Sequence, residues 1–148
     1  MLAARIILGT LSLAVTVMAA DFVGTWKLNL TKSKPRNGND VASETIRIEQ
    51  TGPNAYRSTF DAVLNSGQKV HQEINRIYDG KEHPVTGTGS KPEGTSEICE
   101  LVNASTRKIT RKTAGATSEL TTTVSPDGKV MTNVWKGALD ETLVFERQ

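Results

Sequence analysis

Residues 22–30 alternate between two faces without a break, and this run constrains the fold more than any other part of the chain. One face carries Phe22, Gly24, Trp26, Leu28 and Leu30, and the other carries Val23, Thr25, Lys27 and Asn29. Strict period-two alternation is typical of a strand with one buried side. A glycine beside a buried tryptophan indicates close backbone packing next to a large side chain. The run therefore predicts a core strand in which Gly24 and Trp26 are structural residues.

The rest of the chain consists of short β-prone runs separated by turn residues. The turns are indicated at residues 51–54, 65–68, 79–80 and 127–128. The last two are Asp-Gly pairs, which are strong hairpin signals. No segment has convincing helical periodicity, although the basic loop over residues 31–42 leaves room for one helical turn. This spacing predicts an all-β, up-and-down antiparallel meander of eight to ten strands.

A meander of this length has two exposed edges unless its ends meet. Pairing the last predicted strand, residues 141–147, with the first removes both edges, so a closed barrel is favoured over an open sheet. The alternative is a two-sheet sandwich, which needs crossover connections, and none of the turns is long enough to demand one. We therefore expect a single barrel domain over residues 21–148.

Residues 1–20 have the features of a cleaved secretory signal peptide. Arg5 precedes an uncharged apolar run over residues 6–18, and two alanines follow at 19 and 20. The run is shorter than the ~20 apolar residues that span a bilayer. We therefore expect export, to the periplasm or outside the cell, and no membrane span in the mature chain.

Charge and motif content argue against several functions. Without residues 1–20, the chain has 17 basic and 16 acidic side chains, whereas nucleic-acid binding favours a basic excess. Cys99 is the single cysteine and is expected to be a buried small apolar residue. His71 and His83 lack metal-ligand spacing, and no nucleophile motif surrounds a serine. We therefore expect no enzyme activity, metal or cofactor, while the oligomeric state stays open.

The alternating rows also predict which side chains face the barrel interior. The apolar inward candidates are Trp26, Leu28, Ile46, Ile48, Tyr56, Phe60, Leu64, Val70, Ile74, Ile98, Ile109, Leu120, Val124, Val134, Leu143 and Phe145. A shift of one residue in the later strands would exchange Val134 for Trp135 and reverse the others. The polar members of the same rows are Gln72, Arg76, Arg107 and Arg111.

An arginine inside a barrel needs a partner, because an unpaired buried charge costs several kcal/mol. The partner is either a carboxylate, such as Glu97 or Glu100, or an anionic group of a ligand. From these rows we predict the following ligand contacts: Tyr56, Phe60, Gln72, Ile74, Arg76, Ile109, Arg111 and Phe145. Trp26 is expected to plug the closed end of the barrel instead.

The two ends of the chain resemble those of the calycin superfamily, which includes the lipocalins and the fatty-acid-binding proteins. Residues 22–28 contain the Gly-x-Trp motif that begins the calycin barrel, and residues 143–147 resemble its closing strand. The chain is most similar to small exported bacterial lipocalin-like proteins. The resemblance implies a barrel that holds a small apolar ligand.

The chain also departs from that pattern. Fatty-acid-binding proteins have two lid helices after the first strand, and residues 31–42 are too short for them. Their closing strand carries an arginine and a tyrosine that bind a carboxylate, and the matching positions here are Leu143 and Phe145. Secreted lipocalins usually have a disulfide and a helix before the final strand, which this chain lacks. A fatty-acid carboxylate site is therefore not carried over.

Two functional hypotheses follow from the sequence. The first is an exported barrel that binds a small hydrophobic or amphipathic molecule, such as a lipid, in its interior. The second is a barrel with a filled interior that acts through its surface, as a protein-interaction or protease-inhibitor module. An internal cavity would favour the first hypothesis, and a filled interior the second.

Overall fold

The computed structural model describes residues 21–36, 40–89 and 94–148, so the predicted signal peptide and part of the predicted basic loop over residues 31–42 lie outside the described residues. The strands are β1 Gly24–Leu28, β2 Val41–Gly52, β3 Ala55–Leu64, β4 Lys69–Ile77, β5 Glu82–Pro84, β6 Thr86–Thr88, β7 Ser96–Asn103, β8 Thr106–Thr113, β9 Ala116–Val124, β10 Val130–Gly137 and β11 Glu141–Arg147. A single 3₁₀ turn, Leu30–Lys32, is the only helical element within those ranges.

All eleven strands belong to one antiparallel sheet that curls into a nearly closed barrel. The order is β5-β7-β8-β9-β10-β11-β1-β2-β3-β4-β6. Strand β1 pairs with β11 on one side and with β2 on the other, and Leu28 lies opposite Phe145 in the closing pair. The predicted all-β meander, closed by its first and last strands, is confirmed. The number of strands exceeds the predicted eight to ten because residues 82–88 form two short strands, β5 and β6.

The sheet is interrupted at one place, between β4 and β7. The short strand β5 pairs with β7, and β6 pairs with β4. Val85 connects these two short strands and is buried. The chain therefore crosses the opening without forming a continuous ladder across it. We refer to this interruption as the sheet opening.

Trp26 is a core residue of the barrel, while its role as a plug at the closed end stays a prediction. Its side chain is fully buried within an apolar cluster, and its indole N–H donates to the Phe22 carbonyl oxygen at 3.0 Å. The guanidinium of Arg147 stacks 4.3 Å from the ring centroid. Gly24 has a φ of +139°, and a Cβ there would lie 2.6 Å from Nη1 of Arg147. The backbone conformation therefore favours glycine at position 24, whereas a shift of the flexible Arg147 side chain would relieve the close contact.

Three of the predicted inward positions are wrong. Leu30 is 40% exposed because β1 ends at Leu28 and the chain turns into the 3₁₀ segment. On β7 the inward row contains Glu97 and Cys99 and leaves Ile98 on the outer face, because Glu97 pairs with interior arginines. On β10 the inward row contains Trp135 instead of Val134, which is the one-residue shift left open by the sequence.

Candidate binding cavity

The barrel interior contains a cavity of about 270 Å³. This volume lies just below the ~300–1,000 Å³ range typical of small-molecule sites. Its apolar lining comes from strands around most of the barrel and consists of Ile46, Ile48, Phe60, Ile74, Tyr78, Ile109, Leu120, Met131, Trp135, Leu139, Leu143 and Phe145. The interior is therefore not filled by side chains.

Seven of the eight predicted ligand contacts line this cavity: Phe60, Gln72, Ile74, Arg76, Ile109, Arg111 and Phe145. Tyr56 does not; it borders a second cavity of about 230 Å³ at the sheet opening. Arg76 borders both cavities and Glu97 borders the second. That these side chains contact a ligand stays a prediction, but the structure brings the seven together around one space.

The sequence reasoning missed several polar side chains that line the same cavity, notably Glu44, Glu141 and Asn133. Glu44 lies two residues before Ile46, and Glu141 lies two residues before Leu143, so both belong to inward rows. Extending the period-two rows by one step would have found them. The predicted ligand contacts do not include them because carboxylates are rarely buried.

A buried ion-pair network connects the two sides of the sheet opening. Arg76 on β4 donates from Nε to Oε2 of Glu97 on β7 at 2.8 Å, and Arg111 on β8 donates from Nη2 to Oε1 of Glu97 at 2.6 Å. The side chains of Arg76 and Glu97 are 6% and 4% exposed. The expected carboxylate partner is thus Glu97, while Glu100 is exposed.

The network sets the charge of its members. Burial alone would raise the pKa of Glu97, but the charges and hydrogen bonds of Arg76 and Arg111 outweigh it and hold that pKa below its ordinary value. Glu97 is therefore ionised at neutral pH. Burial raises the pKa of the nearby Cys99 thiol to about 12. Cys99 is accordingly a buried, unreactive thiol.

Arg107 is buried without a carboxylate. Its guanidinium carbon lies 3.9 Å from the centroid of the Phe22 ring, 4.1 Å from that of Tyr56 and 4.9 Å from that of Tyr78. Among the described residues, no carboxylate lies within 4 Å of it and its Nε has no hydrogen-bond partner. Burial lowers the pKa of Arg107 from its ordinary value. The aromatic rings stabilise this cation through cation–π interactions.

Glu44 is the most perturbed carboxyl group of the cavity. Burial and the neighbouring charge of Glu141 raise the pKa of Glu44 to about 7. A carboxyl group with a raised pKa binds its proton more tightly in the folded than in the unfolded chain. Its ionisation therefore destabilises the barrel as the pH rises from about 4.5 to about 7, and the effect is absent below the unfolded pKa.

We predict that Glu44→Gln stabilises the barrel at pH 8 by about 2 kcal/mol, which corresponds to part of the pKa shift at 1.4 kcal/mol per unit. The gain should disappear at pH 4, where Glu44 is protonated in both states. Urea unfolding at the two pH values measures it. Glu49→Gln on the outer face of the same strand is the matched control and should change stability little at either pH. An equal effect of both substitutions at pH 8 would refute a buried, ionised Glu44.

The two histidines lie away from the cavities or at their margin and pair with carboxylates. Nδ1 of His71 is 2.7 Å from Oδ1 of Asp61, and Nε2 of His83 is 3.0 Å from Oδ1 of Asp79. Within residues 21–36, 40–89 and 94–148, no group of histidine, cysteine, aspartate and glutamate has an arrangement that holds a metal ion. In the same ranges no helix has the length and apolarity to span a membrane.

Comparison with known proteins identifies the fold. A Schistosoma mansoni fatty-acid-binding protein, solved with arachidonic acid, superposes with a TM-score of 0.64 at 15% identity, over 89% of this chain and 98% of that one. The chain has the barrel fold of the fatty-acid-binding proteins. The Echinococcus granulosus fatty-acid-binding protein 1 gives a TM-score of 0.60 at 13% identity, over 85% of this chain and 96% of that one. The fluorescent protein UnaG gives 0.66 at 14% identity, over 86% and 97%.

Those matches share a barrel fold with this chain, while its membership of the calycin superfamily stays a prediction. No protein-family model matches the sequence, and no curated protein matches it. The particular resemblance to small exported bacterial lipocalin-like proteins therefore stays a prediction. At these identities the similarity is one of fold, so the function must be argued from the cavity itself.

Proposed function

We propose that this protein is an exported barrel that binds a small hydrophobic or amphipathic molecule in its interior. The cavity of about 270 Å³ carries the proposal. Twelve apolar side chains line it together with nine polar or charged ones, a mixed lining that suits an amphipathic molecule. We expect Trp26 and Arg147 to close one end and a ligand to approach from the other.

Two further observations support binding over the alternatives. A surface-acting module with a filled interior needs no cavity, and the interior here is open. Two proteins of the same fold are fatty-acid-binding proteins, and one of them was solved with arachidonic acid. We extend a binding role, not the ligand, to this chain, and we propose no catalytic activity for it.

Export is proposed from the sequence of residues 1–20 alone. The purified mature chain, residues 21–148, is therefore the material for binding experiments. The proposal predicts that the chain recovered from the exported fraction begins at or near Asp21, which N-terminal sequencing measures. Recovery of the uncleaved chain from the cytoplasm would contradict it.

Binding is tested by calorimetric titration of the mature chain with decanoate. Ile74→Trp places a large ring in the cavity, and Val102→Trp places the same ring at the exposed end of β7, where Val102 is 56% exposed and borders neither cavity. We expect decanoate to bind the wild-type and Val102→Trp proteins and to bind Ile74→Trp at least tenfold more weakly. Circular dichroism verifies that both variants fold, since overpacking costs about 1–3 kcal/mol.

Equal affinities of the two variants would place the bound molecule outside the cavity and contradict the proposal. Failure of decanoate and of the ring compounds described in the next subsection to bind any of the three proteins would also contradict it. Loss of binding in both variants with folding intact would argue against a site confined to the interior. These outcomes test whether the cavity binds a ligand, and they do not depend on the charge preference proposed below.

A further inference from the structure

The charged side chains of the cavity form a basic group and an acidic group. Arg76 on β4 and Arg107 and Arg111 on β8 lie beside the sheet opening. Glu44 and Glu141 lie on β2 and β11, the two strands that flank β1. We call these groups the basic side and the acidic side of the cavity. In the strand order β3 lies between β2 and β4, and β9 and β10 lie between β11 and β8, so at least one strand separates the two sides.

The basic side has more charge than its partners neutralise. Glu97 is the carboxylate that pairs with Arg76 and Arg111, and Arg107 has no carboxylate within 4 Å among the described residues. Arg107 is only 4% exposed. The rings of Phe22 and Tyr56 cover its guanidinium closely, but cation–π contacts do not neutralise the charge. An unpaired buried cation favours a bound anion.

The acidic side has the opposite imbalance. No lysine or arginine side chain in the described part of the chain lies within 4 Å of the carboxylate of Glu44 or Glu141. Their mutual repulsion and their burial disfavour the ionised form of Glu44. A cation placed between the two carboxylates would relieve both effects. The two sides of the cavity therefore favour opposite charges.

The size of the cavity limits what can satisfy both sides. A volume of about 270 Å³ lies just below the ~300–1,000 Å³ range of most small-molecule sites, which favours a compact molecule over a long one. A long-chain fatty acid also offers the acidic side no positive group. The apolar side chains between the two sides require an apolar body.

We propose that the cavity binds a compact zwitterion, with a carboxylate beside Arg107 and Arg111, an ammonium group beside Glu44 and Glu141, and an apolar body between them. This inference rests on the proposed binding function and names the class of its ligand. Each charged end of such a molecule meets a group that has no ion-pair partner among the described residues, Arg107 on the basic side and Glu44 on the acidic side. Carboxylate recognition by arginine and ammonium recognition by carboxylate are both charge-assisted.

The test is a calorimetric titration of the mature chain with four probes. 4-(Aminomethyl)benzoate carries both charges at opposite ends of one ring. 4-Methylbenzoate lacks the ammonium group, 4-methylbenzylamine lacks the carboxylate, and palmitate is a long-chain acid. We expect the zwitterion to bind at least tenfold more tightly than each of the other three.

Two variants assign the ends of the ligand. Glu44→Gln should weaken 4-(aminomethyl)benzoate about tenfold and leave 4-methylbenzoate unchanged or stronger. Arg111→Gln should weaken the binding of 4-(aminomethyl)benzoate and of 4-methylbenzoate and leave the binding of 4-methylbenzylamine unchanged. We choose Arg111 because its side chain is 23% exposed and because Arg76 still pairs with Glu97 in the variant. Glu49→Gln and Arg57→Gln, both on outer faces, are the matched controls and should have no effect.

The results separate this inference from the proposed function. Equal binding of the zwitterion and 4-methylbenzoate, unaffected by Glu44→Gln, would overturn the charge preference while leaving a binding barrel. Palmitate binding more tightly than all three ring compounds would overturn the size limit. If none of these probes and no decanoate binds, the binding function itself fails. Tenfold selectivity that Glu44→Gln abolishes would support the inference.

Discussion

Replacing Glu97 with alanine is expected to destabilise the barrel by about 3–5 kcal/mol, the usual cost of removing one partner from a buried ion pair. The carboxylate holds two guanidiniums, at 2.8 Å from Nε of Arg76 and 2.6 Å from Nη2 of Arg111. Without it, Arg76 stays buried as an unpaired charge. Since total stabilities are only about 5–15 kcal/mol, this loss threatens folding itself.

Urea unfolding followed by circular dichroism measures the change. Glu100→Ala is the matched control, because Glu100 lies on the same strand with its side chain on the outer face and should cost less than about 0.5 kcal/mol. If Glu97→Ala does not fold, the triple replacement Arg76→Met, Glu97→Leu, Arg111→Met should restore a folded barrel, as apolar substitutes for buried ion triads do. A loss below 1 kcal/mol in Glu97→Ala would contradict a dry, closed network.

Trp26→Ala is expected to cost about 3–5 kcal/mol, the typical result for removing a buried tryptophan. The side chain is fully buried among Phe22, Ile46 and Phe145, and truncation leaves a cavity that the surrounding strands cannot fill. Arg147 would also lose the ring on which its guanidinium stacks at 4.3 Å. The closed end of the barrel depends on both contacts.

Thermal and urea unfolding of Trp26→Ala and Trp135→Ala test this expectation. Trp135 is only partly buried and lines the cavity, so its truncation should cost clearly less. Trp26→Phe should recover part of the stability, because it keeps an aromatic ring beneath Arg147. Equal losses for the two alanine variants would contradict the assignment of Trp26 as the plug.

Much of the fold was predictable because alternation and turns are local signals. The alternation of residues 22–30 predicts a buried strand, and the Asp-Gly pairs predict hairpins. The meander and its closure by residues 141–147 follow from these patterns. The predictions were wrong where a long-range contact outweighed a local pattern. Hydrophobicity predicts that Ile98 faces inward, but the side chain of Glu97 faces inward instead, because its arginine partners lie on β4 and β8.

The candidate site was predictable only in part, for a similar reason. Apolar contacts such as Ile74 and Phe145 follow from their rows, and Glu97 was one of two candidate partners for the arginines. The surroundings of Arg107 were not predictable, since Phe22, Tyr56 and Tyr78 come from three distant parts of the chain. The cavity volume depends on how the strands curl, which no local pattern specifies.

The most direct test of the account is the position of a bound molecule inside the barrel. Intermolecular nuclear Overhauser effects from bound decanoate or 4-(aminomethyl)benzoate should reach the methyl groups of Ile74, Ile109 and Leu143, which line the cavity. They should be absent at Leu101 and Val102, which are exposed and border neither cavity. Effects confined to those two exposed residues would place the ligand on the outer surface and contradict the account.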